Sequence, residues 1–286
     1  MNKFGVFINP YHNDLDSVMV LLKKLHETKK ANFFQLQKLD INLPEFIEIA
    51  NEEVVLDFIL SFGGDGTFLR AMHLSLLKNA PLLGINIGKL GFLSDSSLQE
   101  LEKSIDDLMN KKYKIQKRML LKASLKRNGE KIFSDLALND VVIYKGETPR
   151  LAEIKLSSNK RFVLNTHCDG IIISTPTGST AYSLSAGGPL LSPVMDAIIV
   201  SPLNPHILSV RPMVFPAADK LDFSVLKLDC EGVLQLDGKN VERLRTGDEI
   251  VVKSANRKVE IIKLTNKTFY QILRKKLHMG MKIKSS

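Results

Sequence analysis

The segment from Leu56 to Met72, Leu-Asp-Phe-Ile-Leu-Ser-Phe-Gly-Gly-Asp-Gly-Thr-Phe-Leu-Arg-Ala-Met, constrains this chain more than any other. It opens apolar, passes through Gly63, Gly64, Asp65, Gly66 and Thr67, and continues with Leu69, Met72, His73 and Leu76 at helical spacing. The reading is strand, glycine loop, helix. Glycines at three of four positions let the backbone approach a ligand without Cβ collisions, and the N–H groups at a helix start attract an anion. A phosphate fits a cradle built from Gly63, Gly64, Gly66 and Thr67. Anion binding alone does not want Asp65, so its carboxylate points to chemistry beyond holding a phosphate. The same residues also read as a tight turn with a polar tip. Spelling excludes a P-loop, which needs Gly-x-x-x-x-Gly-Lys-Ser/Thr, and the Gly-x-Gly-x-x-Gly dinucleotide fingerprint.

A chain of 286 residues suffices for two domains or one large one, and 44% hydrophobic composition provides for a substantial core. The net charge of +9 suggests anionic partners. The basic residues are scattered, apart from a solvated tail with Arg274, Lys275, Lys276, Lys282 and Lys284. Without zinc-finger spacing or an aromatic ribonucleoprotein motif, small anionic ligands are expected rather than nucleic acid. Cys168 and Cys230 allow at most one bridge, the N-terminus does not resemble a signal peptide, and no apolar run is long enough to span a bilayer. A cytoplasmic protein with reduced thiols and no membrane partner is the expectation.

In chain order, Phe4 to Ile8 reads as a buried strand ending at Asn9-Pro10, and Asp14 caps a helix carrying Val18, Leu21, Leu22 and Leu25. A polar connection and an acidic segment from Glu45 to Glu53 precede the glycine-loop strand. Pro81 to Ile87 is a further strand, ending in Gly88-Lys89-Leu90-Gly91-Phe92. Ser97 and Glu100 spell a capping box for a helix bearing Leu98, Leu101, Ile105 and Leu108. Repeated β-α units predict an α/β domain with a mostly parallel sheet over residues 1–112. From Tyr113 the texture changes to alternating strands and hairpin turns. These include Leu121 to Lys126, the turn Arg127-Asn128-Gly129-Glu130, Ile132 to Leu138, Val251-Val252 and Val259 to Leu264. A β-rich second domain over 113–265 is predicted, with the helical segment after 266 returning to the first.

Two further stretches carry polar density. Asp169-Gly170 leads through four β-formers into Ser174-Thr175-Pro176-Thr177-Gly178-Ser179-Thr180-Ala181-Tyr182-Ser183-Leu184-Ser185, which reads as an adaptable polar surface or a hydroxyl-rich loop. Tyr182 could present a flat face to a base. Leu138-Asn139-Asp140-Val141-Val142 sets an amide beside a carboxylate, either a turn or bulge or a grip on adjacent sugar hydroxyls. No His-Glu-x-x-His spacing occurs, so no dedicated protein metal site is expected.

Taken together and in this order, these stretches resemble the NAD kinase family, ATP-dependent kinases that phosphorylate NAD to NADP. The resemblance rests on Gly63-Gly64-Asp65-Gly66-Thr67, Gly88-Lys89-Leu90-Gly91-Phe92, Asn139-Asp140, Asp169-Gly170 through Tyr182, Pro205-His206 and Arg211-Pro212, and covers most of the chain. The glycine motif is shared with lipid kinases and phosphofructokinases, whereas Thr-Pro-Thr-Gly-Ser-Thr-Ala-Tyr is highly specific. The length suits the short bacterial form.

The resemblance implies a Rossmann-like N-terminal domain, a β-sandwich-like C-terminal domain, an active site between them and a homo-oligomer, a dimer or tetramer. It implies that Asp65 acts on the 2′-hydroxyl of the adenosine ribose, with Gly66, Arg70 and Phe92 nearby. Asn139 and Asp140 would hold the adenosine, and Thr180, Ala181, Tyr182 and Ser185 would line the dinucleotide pocket. Asp169 would reach the nicotinamide end, that of a molecule bound mainly to a neighbouring subunit, and His167, at a position more often basic, is a further implied NAD-binding residue. NAD, ATP and NADP are the implied partners, with Mg²⁺ carried by ATP. Lys89 stands where His or Arg is frequent, Asp140 where Glu is frequent and Lys239 where Gln or His is often found, which bears on affinity more than reaction type. The alternatives are a diacylglycerol or sphingosine-type lipid kinase, which shares the glycine motif, and a non-catalytic NAD(P)-binding regulator.

Overall fold

A computed structural model describes residues 2–9, 14–29, 31–36, 46–49, 53–88, 91–265 and 267–279. Pro10, residues 45 and 50–52 of the acidic segment, Lys89, Leu90, Lys282 and Lys284 lie outside the described residues. The chain divides into two units, residues 1–117 with 259–286, and residues 118–258.

The first unit is built on one sheet. Strands Ile47–Ile49, Asn32–Gln35, Lys3–Ile8, Phe58–Phe62, Leu82–Asn86, Val259–Lys263 and Lys114–Arg118 lie side by side in that order. Lys3–Ile8 runs parallel to both of its neighbours, and Phe58–Phe62 runs parallel to Leu82–Asn86. Every residue of Phe58–Phe62 and Leu82–Asn86 is buried, as a parallel sheet covered on both faces requires. Helix Leu15–Lys29 contributes Val18, Leu22 and Leu25 to the core at the spacing of one helical face, and helix Leu101–Met109 contributes Leu101, Ile105 and Leu108 to the same cluster. The turn before the latter is held by Ser97, whose backbone N–H and hydroxyl both donate to Glu100 at 3.2 and 3.0 Å. Helix Asp65–Lys78 follows the strand Phe58–Phe62 and buries Phe68, Ala71, Met72 and Leu76.

One strand departs from the sequence reading. Val259–Lys263 was expected in the β-rich part, yet it pairs parallel with Leu82–Asn86 in the first sheet. Its burial on both faces suits the interior of a parallel sheet rather than a half-solvated one. The buried Asp95 carboxylate fixes this return. It accepts the backbone N–H groups of Leu264 and Thr265 at 2.6 and 2.9 Å and the ammonium of Lys263. Helix Phe269–Leu277 follows, capped reciprocally by Thr268 and Gln271.

The second unit holds two six-stranded antiparallel sheets. One orders Arg161–Cys168, Ala152–Ser158, Leu221–Lys227, Glu249–Ser254, Leu121–Arg127 and Glu130–Ala137. The other orders Met213–Pro216, Ala197–Leu203, Gly170–Ser174, Asp140–Tyr144, Gly232–Leu236 and Lys239–Leu244. Alternate residues of the first sheet, such as Leu121, Ala123 and Leu125, meet Val141, Ile143, Ile171 and Ile173 of the second in a single core cluster. The Asn128-Gly129 hairpin has φ of 52° and 82°, the left-handed pair that a two-residue turn of this hand needs. The N-terminal parallel sheet and the β-rich remainder match the expected fold class. Cys168 is buried, Cys230 exposed, and both are free thiols. No helix among the described residues is long and apolar enough to cross a membrane.

Candidate active site

In the first unit the glycine segment is shorter than its spelling suggests. Gly64 is the helix N-cap and Asp65 already the first helical residue, so Gly66 and Thr67 belong to the first turn. That turn has N–H groups with no helical partner, and the helix dipole adds partial positive charge there. The glycines divide by what surrounds them. At Gly63, with φ +152°, a Cβ would lie 2.4 Å from the Thr67 hydroxyl, so the buried Thr67 explains that glycine. At Gly64 and Gly66 an added Cβ meets nothing within 4 Å. Among the described residues no atom requires glycine at these two places.

Asp65 is held in a fixed direction. Its carboxylate accepts the backbone N–H of Phe92 at 2.9 Å and of Leu93 at 3.0 Å. A Cβ on Gly91 would stand 2.0 Å from Asp65 Oδ1, which makes Gly91 a requirement of the Asp65 conformation. An ionised carboxylate offers about four lone-pair directions, so two acceptor positions are left. Lys276 of the C-terminal helix lies 5.6 Å from the centre of the Phe92 ring, and Arg70 lies 6.0 Å from that of Phe7. Lys89, part of the expected motif here, lies outside the described residues.

In the second unit Asn139-Asp140 and the hydroxyl-rich segment are interlocked. Thr175 donates its N–H to the Asn139 carbonyl at 2.9 Å and its hydroxyl to the Leu138 carbonyl at 2.6 Å. A Cβ on Gly178 would come within 2.2 Å of the Asn139 carbonyl oxygen, so only glycine permits this approach. The expectation of a polar surface loop is corrected. Ser174, Thr175, Thr177, Ser179 and Ser183 are buried, and Ser174, Thr175 and Ser179 donate to nearby carbonyls. Thr180 and Ala181 are half-buried, while Tyr182 and Ser185 are exposed at the end of the segment.

Asp140 is 4% exposed and opens the strand Asp140–Tyr144, so Asn139-Asp140 is a corner at a strand start rather than a bulge within one. The Tyr182 backbone N–H donates to its carboxylate. Burial first, and the nearby charge of Asp237 second, push the Asp140 carboxyl up to about 7 against the opposing effect of that N–H. Asn139, Asp140 and Tyr182 are thus brought together at one end of the sheet.

His167 and Asp169 are at the other end. Asp140 pairs with Ser174 and Tyr144 with Gly170, so Asp169 lies four or five residues along the ladder, roughly 15 Å away. Its carboxylate meets the Lys145 ammonium at 2.6 Å and the Asn204 amide at 2.8 Å. Partial burial raises this carboxyl, but the two hydrogen bonds outweigh it and leave the group below its ordinary value. His167 is exposed, 3.8 Å from Glu153. The sequence reading missed Lys145, Asn204 and Arg118, the last a buried guanidinium whose Nη1 donates to the Thr177 hydroxyl at 3.4 Å. It singled out Lys239 and passed over Asp237, two residues before it. Among the described residues no three His, Cys, Asp or Glu side chains gather as a cation site.

Comparison with known proteins places this geometry. The ATP-NAD kinase N-terminal domain matches residues 14–113 and the ATP-NAD kinase C-terminal domain matches residues 138–264. An NAD kinase of Desulforamulus reducens is 38% identical over 280 residues, 97% of each chain. One of Magnetococcus marinus is 40% identical over 222 residues, 78% of this chain and 73% of that one. Yeast NADH kinase complexed with NADH superposes with a TM-score of 0.88 at 25% identity, covering 100% of this chain and 90% of the other. The fold is also that of an Archaeoglobus fulgidus NAD kinase in complex with ATP, with a TM-score of 0.72 at 23% identity and coverage of 96% and 98%. The chain belongs to the ATP-NAD kinase family.

Proposed function

We propose that this kinase transfers the γ-phosphoryl group of ATP to the 2′-hydroxyl of the adenosine ribose of NAD, with Asp65 receiving the hydroxyl proton. The carrying observation is a carboxylate anchored by two N–H groups and flanked by two glycines whose Cβ positions are open. Phosphoryl transfer rests on alignment and charge neutralisation, with little covalent work for the protein. Gly63, Gly64, Gly66 and Thr67 receive the phosphates of ATP, which brings Mg²⁺ as part of the substrate. The anchored Asp65 is aimed before substrate arrives, so it loses little orientational freedom on binding. The hydroxyl oxygen bonds to the γ-phosphorus, the bond from that phosphorus to the β,γ-bridging oxygen breaks, ADP leaves, and the proton resides on Asp65.

Asn139, Asp140, Thr180, Ala181, Tyr182 and Ser185 hold the adenosine side of NAD, with ionised Asp140 accepting from a ribose hydroxyl. The nicotinamide end runs toward His167 and Asp169, and the separation of the two clusters along the sheet suits the length of a dinucleotide. Arg70 and Phe92 flank the phosphates. The assembly is a homodimer or homotetramer, to be read by analytical ultracentrifugation.

The test is Asp65→Asn assayed for NADP formation from NAD, ATP and Mg²⁺. General-base assistance is worth about 10²- to 10⁴-fold, so turnover should fall by about 10²-fold or more while NAD binding, followed by calorimetry, stays within a few-fold. Near-normal turnover would rule out the proton-acceptor role.

A further inference from the structure

Strand Gly232–Leu236 pairs with Asp140–Tyr144 as far as Val141 and Leu236, where the regular ladder stops. Beyond that point a side chain continues the pairing. The Asp237 carboxylate accepts three consecutive backbone N–H groups, from Leu138 at 2.9 Å, Asn139 at 2.7 Å and Asp140 at 3.1 Å, and the Asp237 N–H donates back to the Asp140 carbonyl at 2.9 Å. Successive N–H groups turned toward one anion fix the backbone of all three residues. Asp237 and Gly238, at φ 50° and 76°, form the two-residue turn into Lys239–Leu244, so the anchor is itself held by a hairpin.

We propose that Asp237 is a positioning residue for dinucleotide binding, holding the Leu138–Asp140 corner so that Asn139 and Asp140 are set for the adenosine ribose before NAD arrives. This rests on the reading of Asn139 and Asp140 given above. Asp237 contacts no substrate; it acts through the backbone it ties down and through its charge. Two carboxylates are thereby placed close together, and the charge of Asp237 opposes ionisation of Asp140. Asp237 is the titratable group facing Asp140 from the hairpin, where Lys239 is exposed. From the hydroxyl-rich segment Asp140 receives the Tyr182 N–H, and the Arg118 guanidinium reaches that segment at Thr177. Asp237 therefore helps set the pH at which Asp140 becomes a hydrogen-bond acceptor for the ribose.

Asp237→Asn separates this role from a merely structural one. Asn-Gly is at least as well suited to the turn as Asp-Gly, so the hairpin survives. The amide keeps one acceptor oxygen for Asn139 and Asp140 but presents an NH₂ to the Leu138 N–H. Steady-state kinetics should show the KM for NAD raised about tenfold, kcat within about threefold and the KM for ATP unchanged. The pH dependence of kcat/KM for NAD reports groups of the free enzyme. In the unaltered protein it should lose activity as pH falls through about 7. In Asp237→Asn that inflection should move to lower pH, and in Asp140→Asn it should vanish.

A loosened fold alone would raise KM without moving the inflection, and that result overturns the proposal. So does an Asp237→Asn enzyme with unchanged KM for NAD, or an inflection that survives in Asp140→Asn. Should Asp237→Asn fail to fold, an inflection that survives in Asp140→Asn still overturns the proposal. Absence of NADP formation by the unaltered protein would instead remove the functional reading itself.

Discussion

Asp140 carries opposing demands from binding and stability. Its carboxyl titrates near 7 in the fold against an ordinary value of 3.8, because it is buried beside Asp237. A carboxyl raised in this way contributes most stability below its unfolded value, where both states are protonated. That contribution declines as pH rises from about 4 toward 7, while the unfolded chain ionises and the folded one does not. Above 7 the folded protein carries a buried charge with no cationic hydrogen-bond partner among the described residues. Asp140→Asn should therefore raise Tm by several degrees at pH 8 and change it little at pH 4, while weakening NAD binding. Thermal melts at the two pH values check this, and a stabilisation equal at both would exclude the burial and charge argument.

The start of helix Asp65–Lys78 makes a similar separation at the level of an element. Gly66 lies in the first helical turn with open space at its Cβ position, so Gly66→Ala costs no clash. Alanine is favoured over glycine in a helix by up to about 1 kcal/mol. The substitution should leave Tm equal or higher, yet raise the KM for ATP and lower turnover about tenfold or more, since a displaced phosphate misaligns the reaction. Gly91→Ala should act differently, displacing the Asp65 carboxylate and mimicking Asp65→Asn with ATP binding kept. A fully active Gly66→Ala enzyme would mean that no phosphate approaches this turn.

What was legible at this scale followed local chemistry. Helical spacing exposed Leu101, Ile105 and Leu108, and Asn128-Gly129 announced its hairpin. Non-local pairing was not legible. Val259–Lys263 alternates much as a sandwich strand does, and its place in the parallel sheet depends on Leu82, distant in sequence. Asp237 escaped for the same reason, its partners lying 97 to 99 residues away. The hydroxyl-rich segment was misjudged as surface because polar composition usually means solvent. Thr175 and Ser179 are instead buried by donating to carbonyls within reach, which composition does not encode.

On the scale of the whole molecule the two units differ in how the chain supplies them. The second is contiguous over 118–258, with two sheets closing on one core cluster, and its length is ordinary for a domain of roughly 50 to 250 residues. The first is not, because Val259–Lys263 is inserted between Leu82–Asn86 and Lys114–Arg118. Expressed alone, residues 118–258 should unfold cooperatively in urea. Cys168, fully buried with its thiol pushed up to about 12 mainly by burial, should resist a thiol reagent until that transition, while the exposed Cys230 reacts at once. Residues 1–117 alone should lack a cooperative transition. The gap leaves the Leu82 end of Leu82–Asn86 without its strand partner, although Ile85 and Asn86 keep their pairing with Ser96 and Ser97, and Asp95 loses the backbone donors of Leu264 and Thr265 that satisfy its buried carboxylate. If 1–117 unfolded cooperatively by itself, the returning strand would be an accessory to the first sheet. If Cys168 were labelled as fast as Cys230, the isolated β-rich unit would lack the closed core that its alternating strands are arranged to form.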